Sequence, residues 1–295
     1  MGAARAGEAL AAARGRIVGV TCPGDISAAS EHPLLEHVTV LANERVATGV
    51  GLLILHAPRV AARVEPGQFV HLRIARGSSF LLRRPFSVHL AADEQIEILY
   101  QVLGEGTRAL ADRARDDELD VIGPLGRGWT VPDGAAHALL VAGGLGAAPM
   151  GMLVARLADL GVAASVALGA PTEERLMALD VFEAHARRIL VATDDGSAGE
   201  RGFVTAVAAR LLAEDRPDVV YACGPEVMER AAARMAAEAG VPCQVSLERL
   251  MACGVGACLS CVVATRSGQK RACCDGPVFD AEEVLWDASE VPPRH

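Results

Sequence analysis

The sequence predicts a multidomain chain: an antiparallel β-barrel, then an α/β doubly wound domain, then a small C-terminal domain built on cysteines. Three observations carry this expectation. Short β-branched or alternating runs fill residues 32–133. Strand, glycine turn and helix alternate over residues 134–245. Five of the eight cysteines crowd between 253 and 274, inside a segment spanning 246–295.

Residues 1–31 are rich in Ala, with Gly and scattered Arg, and read as a flexible N-terminal extension. A helix over Ala3–Ala13 would be marginal in isolation. Glu8 and the missing apolar core of a signal peptide count against secretion.

The barrel is expected from Val38–Leu41, Val50–Leu55, Gln68–Ile74, Phe86–Leu90 and Gln95–Tyr100. Turn residues such as Pro66-Gly67 and Ala92-Asp93 separate several of these runs. One helix, Thr107–Arg115, interrupts them. In the second domain, strands are expected at Ala138–Ala142, Ala164–Gly169, Ile189–Thr193 and Val219–Ala222. Helices are expected at Met150–Leu160, Val204–Ala213 and Glu226–Ala239. Such alternation makes a parallel sheet with helices on both faces.

Composition narrows the chemistry. The chain is 51% hydrophobic, enough for more than one core among 295 residues. Its net charge of −9, with no basic stripe, argues against nucleic acid as a partner. No apolar run reaches the ~18 residues that a membrane span needs, so no membrane partner is expected. The expected compartment is cytoplasmic, where thiols stay reduced. Clustered cysteines then indicate one metal site, not a disulfide framework.

Cys253, Cys258 and Cys261 stand at C-x4-C-x2-C spacing, and Cys273 or Cys274 supplies a fourth thiolate. This is the spacing of plant-type [2Fe–2S] proteins. The small residues Gly254, Gly256 and Ala257 let the loop wrap a cluster closely. A structural zinc site more often uses two separated C-x2-C pairs, and a zinc-stabilised nucleotide-binding regulator is the non-enzyme alternative.

Other motifs concern nucleotides. Arg83-Arg84-Pro85-Phe86-Ser87 opens a barrel strand and combines a cation, a ring face and a hydroxyl. Gly104-Glu-Gly106-Thr107 opens the barrel helix, where free N–H groups suit phosphate oxygens. Thr107 can equally serve as an ordinary cap. Gly143-Gly144-Leu145-Gly146 lies between a buried strand and a helix, the context of a dinucleotide turn. Cys223-Gly224-Pro225 ends a parallel strand at the same sheet edge, where ligands bind in open α/β sheets. The histidines form no metal-binding pattern and read as surface or packing residues. No catalytic triad or paired-carboxylate site is evident, so no catalytic side chain is assigned.

In order, Arg-Pro-Phe-Ser, Gly-Glu-Gly-Thr, Gly-Pro-Leu-Gly (123–126), Gly-Gly-Leu-Gly and Cys-Gly-Pro resemble the ferredoxin-NADP reductase superfamily. Met251-Ala-Cys-Gly-Val-Gly-Ala-Cys-Leu-Ser-Cys, with Cys273-Cys-Asp-Gly-Pro-Val-Phe279, resembles the electron-transfer subunit of class 1B dihydroorotate dehydrogenase. The resemblance runs from about residue 34 to 285. It implies a barrel that holds FAD through Arg84, Pro85, Phe86 and Ser87. Leu99, Tyr100 and Gln101 would line the flavin, and Gly106 and Thr107 the diphosphate. Gly143, Gly144, Gly146, Cys223, Gly224 and Pro225 would face NAD as co-substrate. The cluster ligands implied are Cys253, Cys258, Cys261 and Cys273, with Cys274 the spare. The implied activity is an oxidoreductase subunit of pyrimidine biosynthesis. It would take electrons from the FMN of a dihydroorotate dehydrogenase catalytic subunit, in a heterotetramer of two plus two, and deliver them through [2Fe–2S] and FAD to NAD+. A related subunit of an NAD(P)H-dependent ferredoxin, sulfide or glutamate-type oxidoreductase is the alternative within the superfamily.

Overall fold

A computed structural model describes residues 33–74 and 80–287. The Ala-rich extension, its possible helix and the last eight residues lie outside the described residues.

The first domain comprises β1 (Leu34–Ala47), β2 (Val50–His56), α1 (Pro58–Ala61), β3 (Phe69–Arg73), β4 (Arg84–Ser87), β5 (Leu90–Ala92), β6 (Gln95–Gln101), α2 (Glu105–Ala111) and β7 (Glu118–Leu125). Its seven strands run antiparallel in the order β4-β3-β7-β1-β2-β6-β5. Alternation along β1 turns Leu34, Val38 and Val40 inward. Glu36 shares that face, and its two carboxylate oxygens accept the Arg59 and Val60 N–H groups at 2.9 Å. It thereby satisfies two orphan donors at the start of α1. The sheet curls until β4 meets β6, where the Phe86 and Tyr100 rings stand edge to face at 6.2 Å.

Several boundaries differ from expectation for identifiable reasons. The single run Phe86–Leu90 is divided between β4 and β5. Helix α2 begins at Glu105 because Gly104 is its N-cap, with the Thr107 hydroxyl accepting the Gly104 N–H at 3.1 Å. Strand β7 was hidden by Glu118, Asp120 and Gly123-Pro124. Asp120 is buried and ion-paired with Arg83, so a charge that reads as surface belongs to the interior.

The second sheet contains β8 (His137–Gly143), β9 (Ala163–Ala170), β10 (Arg188–Thr193), β11 (Glu200–Arg201), β12 (Val219–Cys223) and β13 (Cys243–Ser246). Its helices are α3 (Gly151–Asp159), α4 (Leu179–His185), α5 (Val204–Asp215) and α6 (Glu226–Glu238). A 3-10 helix, Gly144–Met150, precedes α3, so the regular helix starts one residue later than its apolar pattern suggests. Strand order is β11-β10-β9-β8-β12-β13, all parallel. The order reverses between β8 and β12, which makes that crevice the switch point where doubly wound sheets bind ligands.

Beyond β13 the chain forms the cysteine loop and the hairpin β14 (Val262–Thr265) and β15 (Gly268–Arg271). It then returns as β16 (Val278–Asp280), antiparallel to β13 at the edge of the second sheet. Cys261, Val263, Ala272, Cys273 and Phe279 therefore share a core with Leu139, Val141 and Val245 of that sheet.

The barrel and the sheet are locked together. Tyr221 donates to the Thr130 carbonyl at 2.8 Å and stacks edge-on with Trp129. His89 Nδ1 meets the Ala148 carbonyl at 2.8 Å. Leu99 packs with Leu52, Ile54 and Ala148 across the same seam.

Candidate functional site

Three groups of residues make up the candidate site. The first is on the barrel. Arg84 donates to the Leu82 carbonyl at 2.6 Å and the Arg83 carbonyl at 3.3 Å, which fixes its guanidinium near Gly106. Arg84 and Gly106, distant in sequence, are thus neighbours. The Thr107 hydroxyl is engaged in capping. Tyr100 is buried and donates to Asn43 Oδ1 at 2.8 Å. Its ring therefore backs Phe86 from within the barrel. Leu99 and Gln101 occupy the other face of β6, Leu99 at the seam with the second sheet. Pro85 and Ser87 stand half-buried on β4, opposite His71 and Phe69.

The second group sits at the switch point. Gly146 lies so close to β12 that an added Cβ would overlap the Cys223 carbonyl and stand 2.6 Å from the Gly224 nitrogen. A Cβ on Gly143 would stand 3.0 Å from Pro225. Gly144 opens the 3-10 helix between them. The structure therefore brings both glycine-rich turns together. Cys223 is buried, and burial raises its thiol pKa well above the ordinary value. It is a protonated packing group, not a nucleophile.

Glu229, on the first turn of α6, was not singled out by the sequence. It is 1% exposed and accepts the Gly224 N–H at 3.3 Å. Burial pushes its carboxyl up to about 8; the Gly224 hydrogen bond and Arg249 oppose this, and Glu226 and Glu248 reinforce it. A raised carboxyl pKa means that the folded state holds the proton more tightly than the unfolded state. The stability from this group is complete below the unfolded value and is lost as pH rises toward 8. Glu229→Gln keeps the acceptor and removes the ionisation. Its stability advantage over the parent should grow from pH 5 to pH 8, reaching roughly 3–5 kcal/mol by the linkage of pKa to stability. Urea unfolding at several pH values measures this, and an advantage that shrinks with pH contradicts the burial.

The third group is the cysteine loop. Val255, Ala257 and Cys258 N–H groups point at Cys253 Sγ at 3.3–3.4 Å, and the Gly256 N–H points at Cys273 Sγ at 3.2 Å. Cys258 neighbours Cys253, and Cys273 neighbours Cys261. Among the described residues no three His, Cys, Asp or Glu side chains form a cage for a single metal ion. Two thiol pairs suit a two-iron cluster, in which four thiolates serve two irons. The Ser260 hydroxyl and backbone, followed by Cys253, push the exposed Cys258 thiol down to about 6. Burial pushes Cys273 upward. Cys274 is half-buried, its Sγ 3.7 Å from that of Cys273. Arg271 braces the return turn through Asp275 at 2.8 and 3.1 Å.

This loop touches the barrel. Gly254 runs at φ +71° and lies against the ring of His71 on β3. His71 is fully buried, and burial with the Arg83 and Arg84 charges lowers its pKa. Its lone sequence position carried no signal of this contact. A His–Ser–Asp group also forms, from His137, Ser165 and Asp215, but Ser165 is fully buried and donates to Asp215 at 2.5 Å. It staples the opposite edge of the sheet.

The family model of the iron-sulfur cluster binding domain of dihydroorotate dehydrogenase B matches residues 248–285. The oxidoreductase NAD-binding domain matches residues 140–234. A solved chain of the NADH-dependent reduced ferredoxin-NADP oxidoreductase, studied for flavin-based electron bifurcation, is 33% identical. It superposes with a TM-score of 0.77 over 84% of this chain and 90% of that one. The ferredoxin NADP+ reductase from Neisseria gonorrhoeae, solved with bound FAD and NADP, shares the fold at 15% identity. Its TM-score is 0.57 over 70% of this chain and 92% of that one. Fold and site together define an NAD-linked oxidoreductase of the ferredoxin-NADP reductase type with an iron–sulfur domain.

Among curated proteins, the dihydroorotate dehydrogenase B (NAD(+)) electron transfer subunit of Desulforamulus reducens is 40% identical over 254 residues, covering 84% of this chain and 97% of that one. The corresponding subunit of Bacillus velezensis is 40% identical over 260 residues, covering 84% and 98%. The chain belongs to the family of dihydroorotate dehydrogenase B electron transfer subunits. No described helix is long and apolar enough to cross a membrane.

Proposed function

We propose that this chain carries electrons from the FMN of a dihydroorotate dehydrogenase catalytic subunit to NAD+, using a [2Fe–2S] cluster and FAD. The observation that carries the reading is the seating of the thiol-rich loop against the flavin-type barrel, at Gly254 and His71. The donor set fits a cluster, because four cysteines lie in two pairs under converging N–H groups. It fits FAD because Arg84 is braced beside Gly106 at the start of α2.

When bound, the cluster would supply one-electron transfer, and the flavin would collect two electrons and a proton for hydride transfer to NAD+. The chain's own residues do the positioning. Cys253, Cys258, Cys261 and Cys273 hold the irons, and Cys274 remains spare. Arg84 and the backbone N–H groups of Gly106 and Thr107 hold the FAD diphosphate, the Thr107 hydroxyl being spent on the cap. Pro85, Phe86 and Ser87 present one edge of the site and Leu99 and Gln101 its wall, while Tyr100, which the sequence placed against the flavin, backs Phe86 from inside the barrel core. Gly143, Gly144 and Gly146, with Cys223, Gly224 and Pro225, keep the switch-point crevice open for the nicotinamide nucleotide. The partner proposed is an FMN-containing catalytic subunit in a two-plus-two heterotetramer. The compartment proposed is the cytoplasm, which keeps the ligand thiols reduced.

The 33% identical ferredoxin-NADP oxidoreductase chain favours a second reading, in which ferredoxin is the electron partner. One assay separates the two. The protein, purified with the catalytic subunit, is expected to contain FAD, two irons and two sulfides, and to reduce NAD+ when given dihydroorotate. NAD(P)H-dependent turnover with ferredoxin alone would support the second reading, and a colourless zinc protein would overturn both.

A further inference from the structure

His71 stands in register with Pro85, so its backbone belongs to the strand pair that carries Arg84, Phe86 and Ser87. Its side chain is fully buried. The Cys253 and Arg83 backbones face the ring as acceptors and oppose the lowering of its pKa, yet neither Nδ1 nor Nε2 makes a hydrogen bond of ordinary geometry. A buried imidazole with both nitrogens unpaired is costly and calls for an explanation. The ring is not isolated from chemistry. A Cβ on Gly254 would overlap Nδ1 and stand 2.9 Å from Cε1. Gly254 directly follows Cys253, whose sulfur already gathers three N–H groups. Having no side chain at Gly254 lets the loop close onto the imidazole beside the thiol-bearing Cys253.

We propose that His71 is a positioning residue that donates its Nδ1–H to a sulfur of the bound cluster beside Cys253. This rests on the cluster assignment above. The hydrogen bond supplies the missing partner, ties the cluster loop to the flavin strand, and raises the cluster's reduction potential, as N–H donors to cluster sulfurs do. The four N–H groups that already point at cysteine sulfurs all belong to the loop itself.

The test uses the holoprotein isolated with its catalytic partner and labelled with 15N-histidine. Pulsed EPR of the reduced cluster is expected to show coupling to one histidine nitrogen, and His71→Phe is expected to remove it. Potentiometric titration adds a second readout. His71→Phe should shift the cluster's one-electron equilibrium toward the oxidised form about tenfold, or ~59 mV. His71→Asn, which keeps an N–H close to the Nδ1 position, should stay within about threefold of the parent. Full iron and sulfide content without histidine coupling in the parent overturns the inference and leaves the cluster reading standing. An equal shift in both variants also overturns it, because packing alone would then explain the effect. Protein lacking iron and sulfide overturns the cluster reading and this inference with it. If neither variant folds, the coupling in the parent decides.

Discussion

Replacing Cys273 with serine is expected to remove the iron–sulfur cluster, while replacing Cys274 leaves it in place. The two residues are adjacent, so chain position does not separate them. Their surroundings do. Cys273 is 1% exposed, packs in a core with Cys261 and Ala272, and accepts the Gly256 N–H at 3.2 Å. Cys274 is half-buried behind it, its thiol against Gly256. Losing an outer-sphere partner of a metal ligand already costs about 10–100-fold in affinity or activity, and losing the ligand itself costs at least that. In Cys273→Ser, dihydroorotate-driven NAD+ reduction should fall on the order of 100-fold or more. NADH oxidation by a dye that accepts electrons from the flavin should persist. Iron and sulfide analysis with EPR checks both variants. Cluster loss in Cys274→Ser, with retention in Cys273→Ser, would reverse the ligand assignment.

Gly146→Ala is expected to weaken NADH binding and to destabilise the second sheet. The new methyl group would overlap the Cys223 carbonyl and stand 2.6 Å from the Gly224 nitrogen. Those are backbone atoms and cannot rotate away. Overpacking of this kind costs about 1–3 kcal/mol, and relief comes through separation of the β8 and β12 turns at the switch point. A displacement that takes ~1.4 kcal/mol from binding raises KM tenfold. The expected result is a roughly tenfold rise in KM for NADH with an unchanged cluster EPR signal. Urea unfolding reports the stability loss separately. Unchanged KM in a variant that shows the stability loss would place the nucleotide elsewhere.

Local pattern and tertiary arrangement divided the work unevenly. The barrel runs, the βα alternation and the C-x4-C-x2-C loop were legible because each depends on residues within one element or one turn. Side-chain period selects strand or helix, and cysteine spacing selects a cluster loop whatever surrounds it. Strands β7, β13 and β16 were not legible. Their apolar patterns are short or interrupted, and each is stabilised by neighbours distant in sequence. Asp120 shows the same limit, since its place inside the barrel depends on Arg83. Glu229 reads as one more charge on a helix, yet the packing of α6 on β12 buries it behind Gly224.

By itself, then, the sequence determined the order of the domains, the motifs and the number of thiolates available, because these are properties of contiguous stretches. Tertiary structure decided how those stretches meet. It set Gly146 against Cys223, buried Cys273 more deeply than Cys274, and pressed Gly254 onto His71. The physical reason is common to all three. Close approach of backbones and burial of polar atoms arise only when sheet order and curl bring distant segments together, and no local pattern encodes them.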